Sequence, residues 1–334
     1  MANPIVVEVR RGPLAESQHR GAGVVVDADG VVAFSFGEID RPIYPRSAVK
    51  ALQALPLVES GAADKLGLAD AEIALACASH AGEPRHVALA ATMLQRAGAG
   101  PEALACGPQW PLGQEAARAL ARSGAAPSPL HNNCSGKHAG FICLACASGW
   151  DVAGYETPEH AAQRAVKDAI EEMTGATLDA VVRGTDGCSI PTYAVPLRAL
   201  ALAFARLGSG RGLAAPRARA AERIRAAAAA HPELIGGEGR FDTDLMRLFG
   251  ARVFIKGGAE GVCCAALPEA GLGFAVKADD GAGRAAHVMI AKLIARLLPM
   301  SDAERARFEA FRAPILRNWR GLEVGKIVAV GALD

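Results

Sequence analysis

An α+β fold is what this chain predicts. Three observations carry it: β-branched runs near both ends, a long middle with apolar residues at three-to-four-residue spacing, and Gly or Pro clusters that cut the middle into short pieces. Residues 4–10 and 22–37 alternate or run in β-branched residues. Asp27-Ala28-Asp29-Gly30 between Val24-Val25-Val26 and Val31-Val32 reads as the turn of an antiparallel hairpin. From about Ser47 to about Gly250 the spacing is helical, and the alanine-rich 214–230 stretch reads as an exposed helix with Arg217, Arg219, Glu222, Arg223 and Arg225 on its polar side. Short strands return at Val253-Phe254-Ile255, Gly261 to Leu267 and Gly271 to Val276, followed by an apolar helix from Ala285 to Leu298. The outline is one antiparallel sheet built from N- and C-terminal segments. It is expected to form a single domain over 1–334 whose mainly helical lobe is drawn from about 50–250.

The 334 residues are 51% hydrophobic and 21% charged, enough for a sizeable core. Lys and Arg number 36 against 35 Asp and Glu, so no overall field gathers nucleic acid or an anionic membrane, and a small local substrate fits better. The N-terminus lacks the pattern of a secretory signal, and Lys292 and Arg296 break the best membrane-span candidate. A cytoplasmic protein is expected, in whose reducing surroundings the eight cysteines are thiols, metal ligands or catalytic groups.

Ser47 and Lys50, in Arg46-Ser47-Ala48-Val49-Lys50, stand three apart at the head of an apolar helical run. That spacing shares a helix face, so a buried lysine amine can take the serine's proton; the bland alternative is an N-cap serine with a surface lysine. Lys256 ends an apolar strand before Gly257-Gly258, near in kind to the Lys-Thr-Gly element of serine β-lactamases, or it simply opens a glycine turn. Ser79 lies in Cys77-Ala78-Ser79-His80-Ala81-Gly82-Glu83-Pro84-Arg85-His86, a polar loop of the kind that carries sites; alternatively it caps the helix starting near Pro84. Cys134 and Cys188 fall on polar, glycine-punctuated loops and offer a zinc ion two thiolates. Cys143 and Cys146 form an isolated C-x-x-C on an apolar helix and read as core, as do Cys77, Cys106, Cys263 and Cys264.

Together RSAVK, CASHAGEPRH, HNNCSGKHAG, GTDGCSIPTYAVPL and KGGAEG resemble, in this order and over nearly the whole chain, the Rhizobium-type (class 3) zinc-containing L-asparaginases. The resemblance implies a fold similar to that of serine β-lactamases and glutaminases and a homodimer. It implies L-asparagine as substrate, Ser47 as nucleophile with Lys50 as base, and Ser79 with Lys256 as a second serine–lysine pair. It also implies one zinc per chain on Cys134, Lys137 and Cys188. Lys137 enters only through the resemblance, because an amine must lose its proton to bind a metal. Arg46, Asp186 and His138 are expected around the substrate, Asp186 holding its ammonium or orienting a metal-bound water and Arg46 meeting a carboxylate. The chain departs from the β-lactamase pattern in having Gly257-Gly258 after Lys256 and no evident Ser-Asp-Asn element, which suits a smaller substrate. Open alternatives are a glutaminase, a penicillin-binding-like serine peptidase and a non-enzymatic zinc module.

Overall fold

The computed structural model describes residues 2–334, with the backbone only at Ala180. Strands Ile5–Arg11 (β1), Leu14–Asp27 (β2), Val32–Phe36 (β3), Phe254–Gly258 (β4), Val262–Leu267 (β5), Leu272–Ala278 (β6), Ile315–Arg317 (β7) and Glu323–Ala329 (β8) form one antiparallel sheet. Its order is β7-β8-β1-β2-β6-β5-β4, with β3 also on β2. The α+β outline, a sheet from both chain ends with helices between, holds.

The chain divides into two compact units, and the first (1–48, 195–212 and 255–334) contains nearly all of this sheet. The long β2 joins its halves: Val7 of β1 faces His19, while Val24 and Val25 face Ala275 and Phe274 of β6. Val24, Val25 and Val26 are all fully buried, which an alternating strand permits only when both sheet faces are covered. Helix Leu197–Ser209 covers one, since Gly273 lies under the backbone of Ala201 and Ala205. Helix Gly283–Leu297 covers the other, with Met289 against Gly21. Burial on both sides contributes about 1.5–3 kcal/mol per valine. The Asp27 turn forms as its sequence predicts: Asp27 Oδ1 accepts from the Asp29 and Val31 amides.

The second unit (49–194 and 213–254) is mostly helical. Two departures from the sequence reading appear in it. Arg183–Thr185 pairs antiparallel with Pro191–Tyr193, a small ladder within the stretch read as helical. Helix Ala215–Ala230 is not an exposed helix either: Ala220, Ala221, Ile224, Ala227 and Ala228 are buried, and Arg217 reaches Glu59 and Glu172 at 2.6 and 2.5 Å. Alanine is small enough to seat one helix closely on another, so its abundance does not distinguish a solvated face from a packed one. No helix of the described residues is long and apolar enough to cross a membrane.

A buried thiol–amine cluster as candidate active site

In the helical unit, helix Ser135–Ala147 packs hard against helix Asp70–Ala76. Gly136 makes this possible, because a Cβ there would stand 2.4 Å from the Leu75 carbonyl oxygen. The close approach brings Cys134 and Lys137, at the helix's first turn, toward the loop that follows Ala76. Lys50 begins helix Lys50–Gln53 and is 1% exposed; its Nζ donates to Ala78 O at 2.5 Å and to Asn133 O at 3.4 Å. Three of the sequence motifs thus meet at one amine. A fourth arrives on the hairpin of Arg183–Thr185 and Pro191–Tyr193, whose turn closes through Asp186 N–H to Ile190 O and puts Ser189 at φ +79°. That turn presents Cys188, with Lys137 Nζ 2.9 Å from its sulfur and Asp186 Oδ2 3.1 Å away.

Cys134, Lys137 and Cys188 are all buried, and Asp186 is partly exposed. A hydrogen bond with Cys188 holds the Cys134 thiol well below the usual range; burial opposes this, and the charges of Lys50 and Lys137 reinforce it. Cys188 is pushed up by the same hydrogen bond and by burial, so it keeps its proton. Burial pulls Lys137 down, but the two sulfurs and then Asp186 outweigh it and its net shift is upward. Without metal, Cys134 is thus the sulfur that ionises first and the proton stays on Lys137. Among the described residues no three His, Cys, Asp or Glu side chains form a metal-holding group. The donors that do converge are two sulfurs and the Lys137 amine, a soft set that fits zinc once their protons leave. Ligands of one tetrahedral zinc stand about 3.5 Å apart, so Lys137 and Cys188 need to part only slightly.

The surroundings are stiff. Asn132 Nδ2 donates to Cys106 O at 2.8 Å and its Oδ1 accepts from Cys134 N–H at 2.9 Å, while Asn133 is held by Gln109. Ser79 is partly exposed and does not cap the next helix: that helix, Pro84–Arg96, has Glu83 as its N-cap, and Ser79 N–H bonds Ile235 O instead. The loop bearing Ser79 rests on two stacked histidines, His80 and His86, with centroids 4.9 Å apart. His80 Nδ1 accepts from Gly82 N–H, leaving Nε2 to donate to Ser135 Oγ at 2.9 Å. The sequence reading missed this support; its signal is two histidines within an otherwise small-residue loop. His138 is wholly buried, its Nδ1 2.6 Å from the Tyr155 hydroxyl.

Arg46, Ser47 and Lys256 belong to the sheet unit. Ser47 is partly exposed on the one-turn 3-10 helix Arg46–Val49, and Arg46 before it has φ +51°, a left-handed conformation that costs a non-glycine residue about 1–2 kcal/mol. Lys256 is 1% exposed on β4, with Nζ 2.7 Å from Gly257 O. The end of that strand touches the turn that carries Ser47: a Cβ on Gly258 would stand 2.7 Å from Pro45 O and 3.0 Å from Ala48 N. The KGGAEG glycine is thus where the strand and the serine turn meet. As read from sequence, Cys77, Cys106, Cys143, Cys263 and Cys264 are buried; Cys146 is only partly so.

A model of the L-asparaginase II family matches residues 7–329. The chain belongs to that family. As an L-asparaginase II it is an asparaginase-type amidohydrolase. No curated protein matches it. Among solved structures it is similar to a β-lactamase from Mycobacterium bovis, at 16% identity over 79% of this chain and 88% of that one, with a TM-score of 0.39. It is also similar to a mutant of the simvastatin synthase from Aspergillus terreus (15% identity, 78% and 86% covered, TM-score 0.38). A third is a protein named Mglu (16% identity, 92% and 72% covered, TM-score 0.36).

Proposed function

We propose that this L-asparaginase II hydrolyses the side-chain amide of L-asparagine through a serine ester. Ser47 Oγ attacks the amide carbon, Lys50 takes the hydroxyl proton and passes it to the leaving nitrogen, and ammonia departs. Water, deprotonated by the same amine, then cleaves the ester to L-aspartate and returns Ser47. The observation that carries this reading is Lys50: an amine with 1% exposure that begins a helix three residues after the partly exposed Ser47. Such an amine exchanges its proton with groups in the site and not with bulk water. Ser79 and Lys256 are proposed as the second serine–lysine pair, Asp186 as partner of the substrate ammonium and Arg46 of its carboxylate. His138, buried against Tyr155, is proposed to hold the Cys134–Lys137 turn in place.

We further propose one zinc per chain on Cys134, Lys137 and Cys188. Bound there, zinc supplies a fixed positive charge and a Lewis acid beside Asp186.

Ammonia release from L-asparagine, L-glutamine and a chromogenic β-lactam tests the reading. Turnover of asparagine is expected, with loss of about a thousandfold or more in Ser47→Ala and in Lys50→Arg, because an arginine cannot act as the base. Lys50→Arg with a tenth of the wild-type kcat, or an active Ser47→Ala, would sink the mechanism.

A further inference from the structure

Helix Pro232–Ile235, in the helical unit, is four residues long and too short to hold itself. Its carbonyls are taken from outside: Pro232 O accepts from Thr243 Oγ1 at 3.1 Å, Glu233 O from His86 Nε2 at 3.0 Å and Ile235 O from Ser79 N–H at 2.9 Å. Two of these three donors, Ser79 and His86, come from the two ends of one stretch of chain. A single hydrogen bond fixes a distance and leaves a hinge, whereas two from the ends of one stretch fix an orientation. The His86 ring is itself held. A carbonyl only accepts, so Nε2 carries the proton, and Nδ1 accepts from Glu83 N–H at 3.1 Å. The ring is therefore neutral and in one tautomer, wholly buried and stacked on His80 with the planes 11° apart. On the other side of Ser79, the Ala78 carbonyl accepts from Lys50 Nζ at 2.5 Å. Ser79 thus lies between a carbonyl bound to Lys50 and an amide bound to the turn that His86 holds.

We propose that His86 is a positioning residue: through the Glu233 carbonyl it fixes the turn from which the Ser79 amide hangs, and so sets where the Ser79 hydroxyl stands. Its use in the reaction rests on the role proposed for Ser79. The clamp rests on the hydrogen bonds alone. Two substitutions divide the ring's bonds between them. A glutamine amide reaches the place of Nε2 and still donates to Glu233 O, while the shorter asparagine amide reaches only the place of Nδ1 and keeps the Glu83 N–H bond. Both remove the stack on His80 and both are polar. A ring that merely fills space makes His86→Gln and His86→Asn alike; the clamp makes them differ.

Amide hydrogen exchange at Ser79, followed by NMR on the full chain, tests the clamp without turnover. The Ser79 N–H is expected to exchange about tenfold or more faster in His86→Asn than in the wild type, and within about threefold of the wild type in His86→Gln. The kcat for asparagine should fall about a hundredfold in His86→Asn and largely recover in His86→Gln. KM should change by less than about threefold, because Arg46 and Asp186, proposed to hold the substrate, do not hang on this turn. In a Ser79→Ala background His86→Asn should lower kcat no further, since an effect exerted through Ser79 cannot be lost twice. Ser79 exchange that does not differ between the two variants overturns the proposal, as does a kcat loss in His86→Asn that persists in full on top of Ser79→Ala. A wild-type kcat in Ser79→Ala takes Ser79 out of the reaction and leaves the exchange rates to decide the clamp, so the two failures are told apart.

Discussion

Lys137 donates to the Cys188 sulfur over 2.9 Å, and Cys188 in turn reaches Asp186 Oδ2 at 3.1 Å. Both protons in this chain sit on atoms that a zinc ion would bind. The hydrogen-bonded state and the metal-bound state therefore exclude each other, and pH decides between them.

Zinc uptake is accordingly expected to release about two protons, one from Lys137 and one from Cys188, with little from Cys134, whose pKa is already lowered. The apparent affinity should rise about a hundredfold per pH unit while both donors are protonated. Calorimetry in two buffers of different ionisation enthalpy counts the protons directly. Lys137→Met should remove one of them; a count of one in the wild type would strike Lys137 from the ligand set.

The His80–His86 stack gives a second pH dependence, in stability. Burial holds His80 well below the ordinary histidine value and lowers His86 as well. A histidine kept neutral in the fold protonates first in the unfolded chain. Its contribution is complete above about pH 6.5 and is lost as pH falls toward the lowered folded value, by up to about 1.4 kcal/mol per pH unit for each. The melting temperature should fall steeply between pH 6.5 and 5, and less steeply in His86→Gln. A flat profile to pH 5 would show that neither ring is held neutral.

Part of this site was legible in the sequence and part was not, for physical reasons. Ser47 and Lys50 are three apart, so helical spacing relates them, whereas Lys137 beside Cys134 enters only through the family resemblance, because an amine must lose its proton to bind a metal. Cys188 joins Lys137 only through the hairpin of Arg183–Thr185 and Pro191–Tyr193, where three-residue strands leave too few positions to show a period. The β2 strand was legible from residue 22, where it becomes a valine run. Its first half, Leu14 to Gly21, is polar on its exposed side and carries no comparable signal.

Helix Ala215–Ala230 allows a check on its burial. Arg217 is 12% exposed and forks between Glu59 and Glu172, so Arg217→Ala leaves two carboxylates facing each other without their cation. A loss of about 1–3 kcal/mol in urea unfolding is expected, and Arg217→Lys should recover only part of it because it cannot form the fork. No measurable change would return this helix to the solvated reading.

The last prediction concerns Gly258, where the strand carrying Lys256 meets the turn carrying Ser47. A methyl group placed there would lie 2.7 Å from Pro45 O and 3.0 Å from Ala48 N, both backbone atoms, so no side-chain rotation relieves the contact. Either β4 or the 45–48 turn must move, and Lys256 or Ser47 moves with it. Gly258→Ala is expected to cost about 1–3 kcal/mol in stability, within the usual range for overpacking. It should cost far more in activity, since displacements near 1 Å in a reacting group lower rates about a hundredfold. Gly283→Ala is the control: it begins helix Gly283–Leu297, has nothing within 4 Å of the added Cβ, and should be neutral or slightly stabilising. Thermal melts and kcat for asparagine hydrolysis on both variants separate the outcomes. If Gly258→Ala kept full kcat while losing stability, the turn would be giving way without disturbing Ser47, and the strand contact would not set the serine's position.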